Sequence, residues 1–138
     1  IIHPKYLFLG FKDFQQLTLI KKHILKNKIH TKTISCKTVR EASGVAFSSR
    51  NLNLNKNQMK IARNVYNYLI DIKKKTKKNS KLFNPTLYKR NLIKLGVNKI
   101  DYLEIINLKS LNRPRKVKDS FNIFIAYYLN NIRLIDNI

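Results

Sequence analysis

Tyr6-Leu7-Phe8-Leu9-Gly10-Phe11-Lys12-Asp13 is the stretch on which the fold turns. Four apolar residues end at a glycine, which predicts a buried strand reaching its carboxyl edge. A helix is expected next. Asp13 can cap it with Gln16 three residues on, and Leu17, Ile20 and Ile24 fall at helical spacing, with Lys21 and Lys22 on the wet side. Asn27 ends that helix, and residues 29–36, rich in β-branched side chains, read as a second strand. Strand, helix and strand make a βαβ unit, which needs neighbouring parallel strands to bury both faces of its sheet.

Beyond it, residues 37–55 lose all periodicity and form a loop carrying Arg40, Glu41, Gly44, Ser48, Ser49 and Arg50. Residues 56–77 predict the longest helix. Asn55 and Gln58 offer a second capping pair, and Ala62, Val65, Tyr66, Leu69 and Ile70 form one apolar stripe. Lys73, Lys74, Lys75, Lys77 and Lys78 crowd its last turn, where unpaired carbonyls favour cations, and read as a solvated terminus. Asn84-Pro85 opens a third helix that Gly96 stops. Residues 100–106, 121–129 and 132–135 read as three strands, the last two joined by a two-residue turn at Asn130-Asn131. The expected division is therefore a parallel βαβ part, residues 1–45, and an α+β part, residues 46–138, with a three-stranded antiparallel sheet.

At 138 residues the chain holds one domain and a fraction, not two complete enzymatic domains. Leu, Ile, Val and Phe supply about a third of it, enough for a packed core. The net charge of +22 points first toward nucleic acid or an anionic membrane. Lys, however, outnumbers Arg 22 to 7, and Asn and Ile are equally inflated. Those are residues with A/T-only codons, so mutational drift accounts for the charge. Cys36 is the single cysteine and cannot form an internal disulfide, and no Cys/His cluster has metal-site spacing. A cytoplasmic home is the expectation, with no metal-ligating residues. No apolar stretch approaches the roughly 18 residues that span a bilayer, so no membrane partner is expected.

Chemistry concentrates at two places. Gly10-Phe11-Lys12-Asp13 combines a strand end, a glycine that lets a ligand approach the backbone, a cation and an open helix start, which suits a phosphate. Ser48-Ser49-Arg50 offers two hydroxyl donors and a planar guanidinium able to grip phosphate oxygens. In an open parallel sheet ligands sit at the carboxyl ends of the strands, where the first cluster falls and where the loop bearing the second begins.

Five blocks then stand in order. They are Gly10-Phe11-Lys12-Asp13-Phe14-Gln15-Gln16-Leu17, Thr38-Val39-Arg40-Glu41, Gly44-Val45-Ala46-Phe47-Ser48-Ser49-Arg50-Asn51, Asp101-Tyr102-Leu103-Glu104 and Arg133-Leu134-Ile135-Asp136-Asn137. Together they resemble the pantoate–β-alanine ligase family across essentially the whole chain. The resemblance implies a Rossmann-like nucleotidyltransferase domain, of which residues 1–45 are the final part, followed by a C-terminal lid domain. It implies an enzyme that joins the pantoate carboxylate to AMP, releases pyrophosphate, and lets the β-alanine amine displace AMP to give pantothenate.

By the family's pattern Gly10, Phe11, Lys12 and Asp13 belong to the ATP and phosphate site, Gln16 contacts pantoate, and Val39 lies by the adenosine. Phe47, Ser48, Ser49 and Arg50 line the triphosphate, with Lys12 and Arg50 as the catalytic cations. Mg2+ is the implied companion of ATP, and the complete enzyme is implied to be a homodimer. Two departures stand out. Phe11 occupies a place where the family usually has glutamate, and the family's Met-x-x-Leu-His-x-Gly-His stretch is missing, with His3, His23 and His30 in no such spacing. The expectation is a C-terminal half, inactive without its N-terminal half. The alternatives are a basic nucleic-acid-binding protein, disfavoured by the lack of interleaved aromatic and basic residues, and an inactive remnant.

Overall fold

A computed structural model of the chain describes residues 2–79, 83–114 and 120–138. It divides into two compact units, Ile1–Val39 and Arg40–Ile138.

In the first unit, β1 (Tyr6–Gly10) runs into a single 3-10 turn (Phe11–Asp13), then α1 (Phe14–Lys26), then β2 (Lys32–Cys36). The two strands pair in parallel, Tyr6 opposite Lys32 and Gly10 opposite Cys36. The second strand starts later than the pattern predicts. Lys28 turns the chain with a φ of 51°, and Thr31 is tied to the first strand's approach by a 2.7 Å bond from its hydroxyl to the Pro4 carbonyl. The helix buries Phe14 and Leu17, while Phe8 on β1 stays 67% exposed and Leu25 on α1 77%.

The expected Asp13–Gln16 capping pair does not form. Asp13 sits at φ −92°, ψ 54° with no side-chain cap bond. A capping side chain needs an extended backbone to reach the amides two and three residues on, and the preceding 3-10 turn denies Asp13 that conformation.

The second unit is built on α2 (Lys56–Lys78), α3 (Pro85–Lys94), β3 (Lys99–Asn107), β4 (Phe121–Leu129) and β5 (Ile132–Asn137). The sheet order is β3-β4-β5, antiparallel throughout. Here the second capping pair is complete. The Asn55 side chain accepts from the Gln58 amide at 2.8 Å, and Gln58 Oε1 from the Asn55 amide at 2.9 Å. Ala62, Val65, Leu69 and Ile72 repeat every three or four residues along α2 and bury one stripe. They meet the alternate side chains Phe121, Ile123, Ile125, Tyr127 and Leu129 of β4, with Tyr88 and Leu92 of α3 completing the core. Asn130 takes the turn before β5 with a φ of 52°, a conformation asparagine tolerates.

The division between the compact units falls at Val39/Arg40. Arg40 and Ala46 form an antiparallel bridge, and the Arg40 side chain is tied to β5, so residues 40–45 belong with the second unit. A second difference concerns the lysines closing α2. Lys73 is half-buried, and its ammonium donates to Asn122 Oδ1 on β4 at 3.0 Å. Burial, reinforced by the charges of Lys77 and Arg40, lowers its pKa to about 8. No described helix is long and apolar enough to cross a membrane.

Thr76 is fully buried on α2 and its hydroxyl has no hydrogen-bond partner. Thr76→Val should therefore raise stability, by about 1 kcal/mol, in urea unfolding. Lys73 has its own signature. An unfolded chain holds an ordinary lysine proton to about pH 10, whereas the folded chain releases this one near 8. The unfolded state binds more protons in that window, so stability contributed by this group rises with pH from about 8 toward 10. Urea midpoints across the window should show the rise in the wild type and a flatter profile in Lys73→Met.

Candidate active site

The sequence-predicted residues fall into two groups, one in each unit. In the first, Gly10 ends β1 in extended backbone, φ −67° and ψ 130°. A Cβ built there would meet no atom within 4 Å. Neither the dihedrals nor local packing requires glycine, so its effect is open space beside the backbone. Phe11 packs its ring 5.2 Å from that of Phe14 in the first turn of α1. Lys12 follows, half-buried, Asp13 closes the same turn exposed, and Gln16 lies exposed in the first turn of α1. Because Asp13 does not cap α1, its side chain leaves the first-turn amides to other acceptors, and the positive end of the helix dipole favours an anion there. Parallel pairing puts Cys36 beside Gly10, so the chain leaving β2 toward Val39, itself 68% exposed, starts from the same carboxyl edge.

The second group is Phe47, Ser48, Ser49 and Arg50, at the entry to a 3-10 turn (Ser49–Asn53). Phe47 is 60% exposed. Ser48 Oγ accepts the Arg50 amide at 3.3 Å, leaving the hydroxyl proton to donate. The Arg50 side chain is exposed, one guanidinium nitrogen donating to the Arg133 carbonyl of β5 at 3.5 Å.

What holds this turn is a set of contacts that the sequence pattern did not disclose. Asn51 is buried directly after Arg50, and its amide nitrogen donates to Glu41 Oε1 at 2.6 Å and to the Ala46 carbonyl at 3.2 Å. Arg40 grips both carboxylate oxygens of Asp136, at 2.7 and 3.0 Å, and donates to the carbonyls of Gly44 at 3.0 Å and Asn137 at 3.1 Å. Its guanidinium carbon lies 4.9 Å from the centre of the Tyr66 ring. Burial works against its charge, yet the hydrogen bond and charge of Asp136 more than offset that and raise its pKa. Gly44 has a φ of 88°, and a Cβ there would overlap the Tyr66 ring, so this position needs glycine on both counts. Arg40, Glu41 and Asn51 are visible in sequence as members of a charged loop. The carboxylate that Arg40 meets, Asp136, lies 96 residues away, beyond any local pattern.

A parallel βαβ piece joined to an α+β unit makes this a Rossmann-like α/β protein. The family model described as pantoate-β-alanine ligase matches residues 1–138, and the chain belongs to that family. It is 36% identical over 144 residues to the pantothenate synthetase of Flavobacterium psychrophilum, covering 100% of this chain and 50% of that protein. It is 35% identical over 139 residues to that of Clostridium botulinum, covering 99% and 50%. Among solved structures it is similar to the Francisella tularensis pantoate-β-alanine ligase complexed with β-γ ATP and β-alanine, at 32% identity and a TM-score of 0.73 over 99% of this chain and 44% of the other. It is also similar to the Thermus thermophilus pantothenate synthetase, at 25% identity and a TM-score of 0.79 over 98% and 49%. The chain thus spans about half the length of the curated relatives it matches.

Removing the Arg40 side chain would leave the mostly buried Asp136 carboxylate without its cation. Arg40→Ala should cost about 2–3 kcal/mol in urea unfolding, and limited proteolysis should cut residues 41–50 faster than in the wild type.

Proposed function

We propose that this chain is the C-terminal part of a pantothenate synthetase. In the complete enzyme the pantoate carboxylate oxygen attacks the α-phosphorus of ATP, forming an acyl–phosphate bond as the bond to pyrophosphate breaks. The β-alanine amine then attacks the acyl carbon, the amide forms, AMP leaves with the bonding electrons, and the amine loses a proton. Family membership over residues 1–138 carries the reading.

Three observations support it. The turn after Gly10 offers phosphate Lys12 and the helix amides that Asp13 does not cap, and Ser48, Ser49 and Arg50 form a second donor set on a turn anchored to β5. The exposure of Phe8 and Leu25 in a unit built on parallel strands fits a covering half that completes the sheet, because such sheets are normally buried on both faces. The relatives are about twice as long.

In this reading the roles divide by chemistry. Lys12 and Arg50 face charge that grows on the departing pyrophosphate and so act more on turnover than on ground-state binding. Ser48 and Ser49 donate to the phosphates, Phe47 and Val39 border the nucleotide, and Gln16 binds pantoate. Mg2+ enters with the nucleotide, held by phosphate oxygens and water. Among the described residues no group of three His, Cys, Asp or Glu side chains could hold a metal on its own. Residues 46–138 form the lid, and the complete enzyme is a homodimer. The His-x-Gly-His stretch that serves adenylation in the family is absent from these residues, so the 138-residue chain alone should not turn over.

The test is β-alanine-dependent AMP release by this protein, alone and with a relative's N-terminal half co-expressed. Turnover is expected only in the second case, and robust turnover by these residues alone overturns the half-enzyme reading. In the reconstituted enzyme Lys12→Ala and Arg50→Ala should each lower turnover on the order of 10²-fold. Unchanged rates would remove them from the site.

A further inference from the structure

Away from the residues assigned to nucleotide and substrates, the last turns of α2 hold an amine in unusual company. Lys73 is half-buried, and among the described residues the one side-chain acceptor at its Nζ is the neutral Asn122 amide oxygen, 3.0 Å away. Among the described residues no carboxylate lies within 4.0 Å of that nitrogen. Asn122 in turn donates to Asn137 Oδ1 at 3.1 Å, and the Asn137 backbone N–H donates to Asp136 Oδ1 at 2.7 Å. The nearest chain of polar groups therefore ends on a carboxylate already committed to Arg40. Lys77, one turn further along α2, and Arg40 both add positive charge at the site.

We propose that Lys73 is an acylation site, taking acyl groups from acyl phosphates without a dedicated transferase. The uncharged nitrogen attacks the carbonyl carbon and the N–C bond forms. The C–O bond to phosphate breaks, phosphate leaves with the electron pair, and the proton shed by nitrogen goes to phosphate or water. Nothing is oxidised or reduced. The surrounding cations favour an anionic donor, which is why acyl phosphates fit better than uncharged acyl carriers.

Desolvation beside like charges is the means by which proteins make lysine nucleophilic. Release of the proton near 8 rather than above 10 raises the uncharged fraction at neutral pH on the order of 10²-fold. The lower basicity takes back roughly tenfold in intrinsic nucleophilicity if amines follow the same trend as thiols. A net advantage of about tenfold over an ordinary exposed lysine remains. Acylation would also remove the charge that bonds Asn122, loosening the chain of amides that leads to Asp136 and the loop held by Arg40. This proposal does not depend on the pantothenate reading.

Acetyl phosphate is the probe, with site-resolved mass spectrometry of the protein at about pH 7.5. Initial acetylation of Lys73 should run about tenfold faster than that of its exposed neighbours Lys74 and Lys75. Equal or slower labelling overturns the proposal. The preference should vanish in urea, where the environment of Lys73 is lost, and its persistence there would equally overturn it. In Asn122→Asp, with a carboxylate set against the ammonium, Lys73 should fall to the rate of Lys74 while circular dichroism shows the fold kept. An undiminished rate in that folded variant counts against the mechanism.

Discussion

The alternate side chains of β4, packed against one stripe of α2, are the contact on which the second unit depends. Ile123 and Ile125 are wholly excluded from solvent, as are Leu69 and Ile72 to within 1%. A central antiparallel strand with one face so occupied fixes the register of both neighbours, because a slip of one residue would turn its apolar set outward. Through β5 the same constraint reaches the loop bearing the donor residues, since Arg40 and Arg50 both attach to that strand. A core contact and a surface turn are in this way mechanically continuous.

The first unit stands on different terms. Its parallel pair has β2 on one side of β1, and α1 buries Phe14 and Leu17 while Phe8, Leu19 and Leu25 stay in contact with water. Its order comes from backbone pairing and a small helix–strand contact. A covering partner would supply the apolar burial that the thirty-nine residues lack, and the larger unit has no such need.

The two capping patterns show how far local sequence reaches. Asn55-x-x-Gln58 and Asp13-x-x-Gln16 are alike as strings, yet only the first forms the reciprocal bonds. The difference lies in what precedes each: extended backbone before α2, a tight turn before α1. Strand and helix positions were legible because burial imposes a period on side chains, and the two clusters proposed to meet phosphate stand out by residue type alone, because that chemistry is local. The anchoring of the second cluster was not, since Arg40 meets Asp136 and Asn51 meets Glu41 only after the chain has closed. Lys73 misleads for the same reason. A row of lysines reads as solvated, and only the arrival of Asn122 takes one of them out of water.

Cys36 carries a practical consequence. The sole cysteine of the chain is exposed and sits opposite Gly10 at the carboxyl edge of the parallel pair. A maleimide fluorophore attached there would label one position without engineering, next to the backbone that the nucleotide is proposed to approach. With no tryptophan in the sequence, that dye would have a spectral window free of indole emission.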